Sequence, residues 1–359
     1  MNHLHRLREA LSQKGLEGVL VSSEINQRYL TDFHFSDGYV LVTPRRAILL
    51  TDSRYIEAAE ASVKDFECHC VQRGQTMSEL LAAFLAEEKV TSLAMEDSEL
   101  SCAAFKRLSK AFAPCELVEG GSEILTGLRI VKTAEELDRM ARAQDITDRA
   151  FAHILGYINP NVTERDVALE LEFFMRRAGA EDIAFSTIAV SGTASSLPHG
   201  VPRDCKLERG FLTMDFGAKV DGYCSDMTRT VVIGKAEPEV KKVYETVLAA
   251  QKAALDFIAE GAVCREADAK ARGVIEAAGY GQFFGHGLGH GVGMLVHEAP
   301  SLSPKANPAT TLKRGNVVTV EPGIYLAGRF GCRIEDMVAI DLDGSVRNFT
   351  KSPKDLIEL

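Results

Sequence analysis

The sequence predicts an α/β domain over residues 1–127 followed by a larger α+β domain over 128–359 that is itself a duplication. Three observations carry this reading. A chain of 359 residues is about two domains long. Its first third alternates short strand-like and helix-like apolar patterns. Beyond residue 127, one segment recurs at an offset of 100 residues. Hydrophobic residues at 46% and charged residues at 26% are ordinary for a globular chain and exclude fibrous, disordered and membrane-spanning classes. The formal net charge of −10 would repel a phosphate backbone, so no nucleic-acid partner is expected.

The first domain reads as a helix over 7–14, strands over 18–21, 39–43 and 47–50, a helix over 77–89, a strand over 92–95 and a helix over 102–112. At its start, polar residues interrupt every apolar run before it reaches signal-peptide length. No segment approaches the roughly 20 apolar residues of a membrane span. Eight cysteines are scattered without a Cys-x-x-Cys pair, which predicts free thiols and a cytoplasmic location. Cys68-His69-Cys70 reads as strand, because a spacing of one residue is poor for zinc. From Leu128 a long helix is expected, with Thr133 and Glu136 placed as a capping box.

In the second domain Ile158 aligns with Ile258, Asn161 with Gly261, Arg165 with Arg265, Asp166 with Glu266, and Ala178-Gly179 with Ala278-Gly279. Each copy reads as a helix, a turn and a second helix ending at glycine. The likeness continues into strands. Leu212-Thr-Met-Asp215-Phe-Gly217 matches Val318-Thr-Val-Glu321-Pro-Gly323, and the segment from Gly222 to Asp226 resembles that from Gly331 to Glu335. Each half thus supplies two acids, at spacings of 11 and 14 residues, expected on adjacent strands across a pseudo-two-fold axis. Four buried carboxylates raise one another's pKa, and two divalent ions are the simplest compensation. The plainer alternative is a set of solvated strand-edge acids paired with Arg229 or Arg333.

Three of the nine histidines, His286, His290 and His297, fall within twelve residues between interleaved glycines. Glycine there allows close backbone approach and unusual φ. The glycine spacing does not fit a dinucleotide loop, and His297-Glu298 lacks the second histidine of a zincin helix. Asp215-Phe-Gly217 is not a kinase signature, because no His-Arg-Asp catalytic loop precedes it.

These residues resemble metallopeptidase family M24, the pita-bread fold, in its Xaa-Pro branch. The likeness covers nearly the whole chain. It rests on Met214-Asp-Phe-Gly217, Gly222-Tyr-Cys-Ser-Asp-Met-Thr-Arg-Thr230, His286-Gly-Leu-Gly-His290, His297-Glu-Ala-Pro300, Val320-Glu-Pro-Gly-Ile-Tyr325 and Arg333-Ile-Glu-Asp336. Ser191-Gly-Thr-Ala-Ser-Ser-Leu-Pro-His199-Gly200 is similar too, as are Arg28-Tyr-Leu-Thr31 and Asp52-Ser-Arg-Tyr55 in a first domain that looks creatinase-type.

The resemblance implies two divalent metal ions, with Asp226 and Glu335 bridging, Asp215 on one ion, and His290 with Glu321 on the other. It implies that His199, His286 and His297 face substrate, supported by Tyr325 and Arg333, and that Glu321 shuttles a proton to the leaving nitrogen. The hard donor set favours Mn2+ or Co2+, with Zn2+ also compatible. The expected partner is a proline-containing peptide, and the family suggests a homodimer.

Within the family, the first domain argues against a methionine aminopeptidase, and the complete ligand set argues against creatinase and against a non-enzymatic peptide-binding scaffold. Xaa-Pro aminopeptidase is preferred over Xaa-Pro dipeptidase (prolidase). Ser301 stands where some prolidases carry the arginine that would clasp a dipeptide's carboxylate. Arg333 could still reach that carboxylate, and Phe35, Tyr39 or Phe185 would replace an aromatic lid in a chain without tryptophan.

Overall fold

A computed structural model describes residues 2–359. The chain divides between Arg129 and Ile130 into two units. In the first unit, six strands order as Glu67–Cys70, Ala47–Thr51, Tyr39–Val42, Val19–Val21, Ser92–Met95 and Glu116–Val118. The middle strands pair antiparallel and the flanking ones parallel. Leu20, Leu41, Ile48, Leu50 and Leu93 pack with Leu81 and Leu85 of the helix Met77–Glu88 and Leu108 of the helix Cys102–Phe112.

Three elements here lie outside the sequence reading: the helices Glu24–Thr31 and Ile56–Ser62, and the edge strand Glu116–Val118; the other edge strand, Glu67–Cys70, contains the Cys68–Cys70 segment read as strand. A fourth difference is a correction. Leu128 does not open the long helix but belongs to a separate one, Gly121–Ile130; the long helix Ala134–Tyr157 begins after Thr133, whose capping box with Glu136 forms as expected. Phe35 is buried in the first unit, so it is no candidate for a lid.

In the second unit the repeat holds to the residue. The second helix of each pair runs Glu164–Arg177 and Cys264–Ala277. Each ends through an alanine, Ala178 or Ala278, followed by a glycine with φ of +110° or +86°. That left-handed conformation is one which residues with a Cβ rarely adopt.

Each helix pair covers its own antiparallel strands. The strand Gly210–Phe216 lies between Ile188–Ser191 and Met227–Ile233, and Val317–Val320 lies between Gly289–Gly291 and Asp336–Ile340. Strand alternation then sorts the side chains. Leu212, Met214 and Phe216 join the core under the first helix pair, and Val318, Val320, Val338 and Ile340 join that under the second. Thr213, Asp215, Thr228 and Thr230 are left on the other face. There Thr228 donates to Glu335 and Thr230 to the carbonyl of Arg333, so the polar faces of the two halves meet. No helix among the described residues is long and apolar enough to cross a membrane.

Candidate metal centre

The four acids converge where these faces meet, but only Asp215 lies within a strand. Asp226 and Glu335 immediately precede the strands Met227–Ile233 and Asp336–Ile340, and Glu321 immediately follows Val317–Val320. The expectation of acids on adjacent strands is corrected to acids at strand ends, where irregular backbone lets their carboxylates turn toward one point.

His290 comes from the short strand Gly289–Gly291, and its Nε2 lies 3.3 Å from Glu321 Oε1 and 3.7 Å from Asp226 Oδ2. Asp226, His290 and Glu335 each offer one ligand atom, all within 4.8 Å of one another. The flanking glycines serve close approach alone: a Cβ on Gly289 would stand 2.1 Å from the Thr319 carbonyl oxygen, and one on Gly291 2.2 Å from that of Ala299. Neither has positive φ, so the expectation of unusual φ in this run does not apply to the pair around His290.

Burial dominates the electrostatics. It pushes the carboxyls of Asp226 and Glu335 well above the ordinary range, and the neighbouring acids push the same way. Asp215 is raised by burial, with the Arg333 charge pulling back. Burial also pushes Glu321 upward, but the His290 hydrogen bond and the charges of His290, His286 and Arg333 outweigh it, and Glu321 ends below its usual value. Asp215 accepts from Arg333 Nη2 at 2.6 Å through Oδ2, while its buried Oδ1 has no partner among the described residues. Four carboxylates and an imidazole, three of the acids raised and one buried oxygen unpaired, fit hard divalent ions.

Arg333 is almost fully committed. Its Nε donates to Thr228 Oγ1 at 2.9 Å, and its Nη1 donates to Tyr325 Oη at 2.8 Å and to the Pro198 carbonyl at 3.3 Å. Arg229 pairs with none of the four carboxylates; it forms a buried pair with Asp336 at 2.9 Å and donates to the backbone carbonyl of Glu335.

Burial lifts the Tyr325 hydroxyl to about 12, so it stays protonated and donates to His286 Nε2 at 3.0 Å. Burial also lowers His286, keeping its ring neutral, and Nδ1–H then faces the Gly287 carbonyl at 2.8 Å. The ring of His297 packs edge-on against that of His290, with centroids 4.3 Å apart, and burial lowers its pKa. Together with His199, these residues line one cleft of about 920 Å³, whose apolar walls include Phe185, Ile188, Phe283 and Val296. All ten candidate residues border this cleft, and Phe185 alone of the three lid candidates does.

Sequence reasoning missed Thr228 and Thr319. Thr228 bonds Glu335, while Thr319 accepts from the His290 amide and donates to Glu321. Thr319 stands in the repeated Thr-x-Asp/Glu frame, so its signal was present. The pair Glu164–Arg203 carries no local signature, whereas Asp268–Arg272 has the i, i+4 spacing of a helical ion pair.

Comparison with known proteins agrees with this geometry. Residues 138–341 match Metallopeptidase family M24, and residues 3–131 match the Creatinase/Prolidase N-terminal domain. The chain is 36% identical over 352 residues to an Xaa-Pro dipeptidase of Pyrococcus horikoshii, covering 97% of each chain. Among solved structures, an Xaa-Pro dipeptidase from Bacillus anthracis superposes with a TM-score of 0.94 at 40% identity, covering 99% of both chains. An X-Pro aminopeptidase from Thermotoga maritima superposes with a TM-score of 0.90 at 36% identity, covering 97% of this chain and 99% of that one.

Proposed function

The chain belongs to metallopeptidase family M24, with a creatinase-type first domain and a pita-bread catalytic domain, and from that premise we propose that it cleaves the Xaa-Pro bond of peptides longer than two residues. The observation that carries this reading is the meeting of Asp226, His290 and Glu335 within 4.8 Å on the border of a cleft of about 920 Å³. With Asp215 and Glu321 they would hold two divalent ions, Mn2+ or Co2+ by the hardness of the donors. Such ions polarise a carbonyl and lower the pKa of water to near neutrality.

The chain's own groups then have separable tasks. Glu321, beside His290, would accept a proton from the attacking water and deliver it to the leaving proline nitrogen. His286 has both ring nitrogens engaged, so it orients Tyr325 and Arg333 rather than donating to substrate. His297 has no hydrogen-bond partner among the described residues and is the better donor to a developing oxyanion, with His199 on the cleft wall as a second contact. Arg333 holds Asp215 from the other half. The free cysteines support a reducing, cytoplasmic setting.

Substrate length follows from charge. Among the described residues Arg333 is the only lysine or arginine bordering the cleft, and four of its five N–H donors already have partners, so it is poorly placed to clasp a dipeptide's carboxylate. The dipeptidase reading is favoured by the names of the Pyrococcus horikoshii and Bacillus anthracis relatives. Comparing kcat/KM on an Xaa-Pro dipeptide and an Xaa-Pro-Yaa tripeptide in Mn2+ decides between them. We expect the tripeptide to be preferred by roughly tenfold or more, the discrimination of about 1.4 kcal/mol. A dipeptide preference reverses the choice, and equal cleavage without proline overturns the substrate class.

A further inference from the structure

Two carboxylate–arginine pairs stand behind the cleft without bordering it. In the second half, Asp268 on the helix Cys264–Ala277 is 1% exposed and accepts from the Leu288 amide at 2.9 Å and from Arg272 at 2.8 and 3.0 Å. Arg272 in turn donates to the carbonyls of Phe284 at 2.9 Å and His286 at 2.8 Å, with its guanidinium 4.2 Å from the centre of the Phe284 ring. Backbone groups on both sides of His286, and that of His286 itself, are therefore tied to one helix.

In the first half, Glu164 on the helix Glu164–Arg177 is fully buried. It accepts from the Ser191 amide at 2.6 Å, the Arg203 amide at 2.9 Å, and Arg203 Nε and Nη2 at 2.9 and 2.6 Å. Arg203 Nη2 also reaches the Ser191 carbonyl at 3.2 Å. Residues 191 and 203 are the two ends of the loop that carries His199. Charge-assisted bonds of this kind are about twice as strong as neutral ones, and an arginine fork fixes direction as well as distance.

We propose that Asp268–Arg272 and Glu164–Arg203 are matched clamps that set the placement of His286 and His199, so that each half of the duplication positions its own cleft-facing histidine. The proposal rests on the reading of those two histidines given above. All four clamp residues are positioning residues, since none touches the cleft.

Arg272→Lys and Arg203→Lys keep the charge and remove the fork. On the Xaa-Pro-Yaa tripeptide with Mn2+, each should lower kcat by about 10–100-fold, the range for orienting partners, with KM within threefold and metal content equal to the parent's. Coupling separates positioning from mere stability. In a His286→Ala background, Arg272→Lys should cost less than about twofold, yet keep its full effect in a His199→Ala background; Arg203→Lys should behave the opposite way. Additive losses in both backgrounds, or an unchanged kcat, overturn the proposal.

A second readout needs no activity. By hydrogen-exchange mass spectrometry, Arg272→Lys should speed exchange over residues 284–290 and leave 191–203 at the parental rate, and Arg203→Lys should do the converse. Faster exchange in both loops alike, or in neither, overturns the clamps. If the parent chain cleaves no Xaa-Pro peptide, the proposed function fails and the exchange result alone decides the clamps.

Discussion

The two halves of the pita-bread domain share second helices with the same bounds 100 residues apart, Glu164–Arg177 and Cys264–Ala277, yet they furnish the acid cluster differently. The first half brings Asp215 and Asp226 and no imidazole; the second brings Glu321, Glu335 and His290. Each also completes the other. Arg333 of the second half reaches back to Asp215, while Thr228 of the first gives its hydroxyl to Glu335 and its carbonyl to the Glu335 amide at 3.1 Å. Packing against a sheet constrains a helix along its whole buried face, so the scaffold of a duplication stays recognisable. A site at the seam needs unlike groups from its two sides, so there the copies differ.

If the halves are interdependent, the largest effect comes from removing one acid at the seam. Glu335→Ala is expected to lose bound divalent ion and activity together, the latter by about 10³-fold or more given the several kcal/mol such ions contribute. Metal content and kcat measured on one preparation check this; full activity with two ions retained would break the comparison.

A smaller effect sharpens it through pH. Burial pushes the Glu164 carboxyl upward, but Arg203 and the Ser191 and Arg203 amides outweigh burial and hold it below its usual 4.5. A depressed folded pKa stabilises the fold above the unfolded value and loses that contribution as pH falls through the folded one. Glu164→Gln should therefore cost about 1–3 kcal/mol at pH 7, the worth of hydrogen bonds to a charged group. In urea titrations the gap between parent and variant should close as pH drops below about 4.5. A gap independent of pH would remove the ionised carboxylate from the account.

The smallest effect concerns helix starts. The helix Glu164–Arg177 has a capping box between Thr163 and Asp166, whereas Cys264–Ala277 starts at Val263 with no side-chain cap. Thr163→Ala should cost about 1 kcal/mol, and Val263→Thr should gain about 0.5 kcal/mol by giving the second copy the cap of the first. Thermal unfolding reads both, and equal stability of all three chains would mean that packing alone sets these termini.

Much of this was legible because it is local. Thr133 with Glu136 marks a helix start within four residues, and the strands and helices over 92–95 and 102–112 carry their own periodicity. The helix Ile56–Ser62 was hidden because it has only seven residues and no side-chain cap at Tyr55. The edge strand Glu116–Val118 is short and owes its form to pairing with one neighbour. The acids of the site could be found because the repeat displays them twice. Arg229 with Asp336 could not, since 107 residues separate partners that meet only through the fold.

The glycines on either side of His290 bear on which changes the gene for this chain can accept. Every amino-acid replacement at Gly289 or Gly291 adds a Cβ, at 2.1 Å from one carbonyl oxygen or 2.2 Å from another, nearer than such atoms are found. No single-base change that replaces either glycine yields a residue small enough to fit. These two codons should tolerate only silent substitution, whereas the codon for Val201, whose side chain is 79% exposed at the rim of the same cleft, is open to drift.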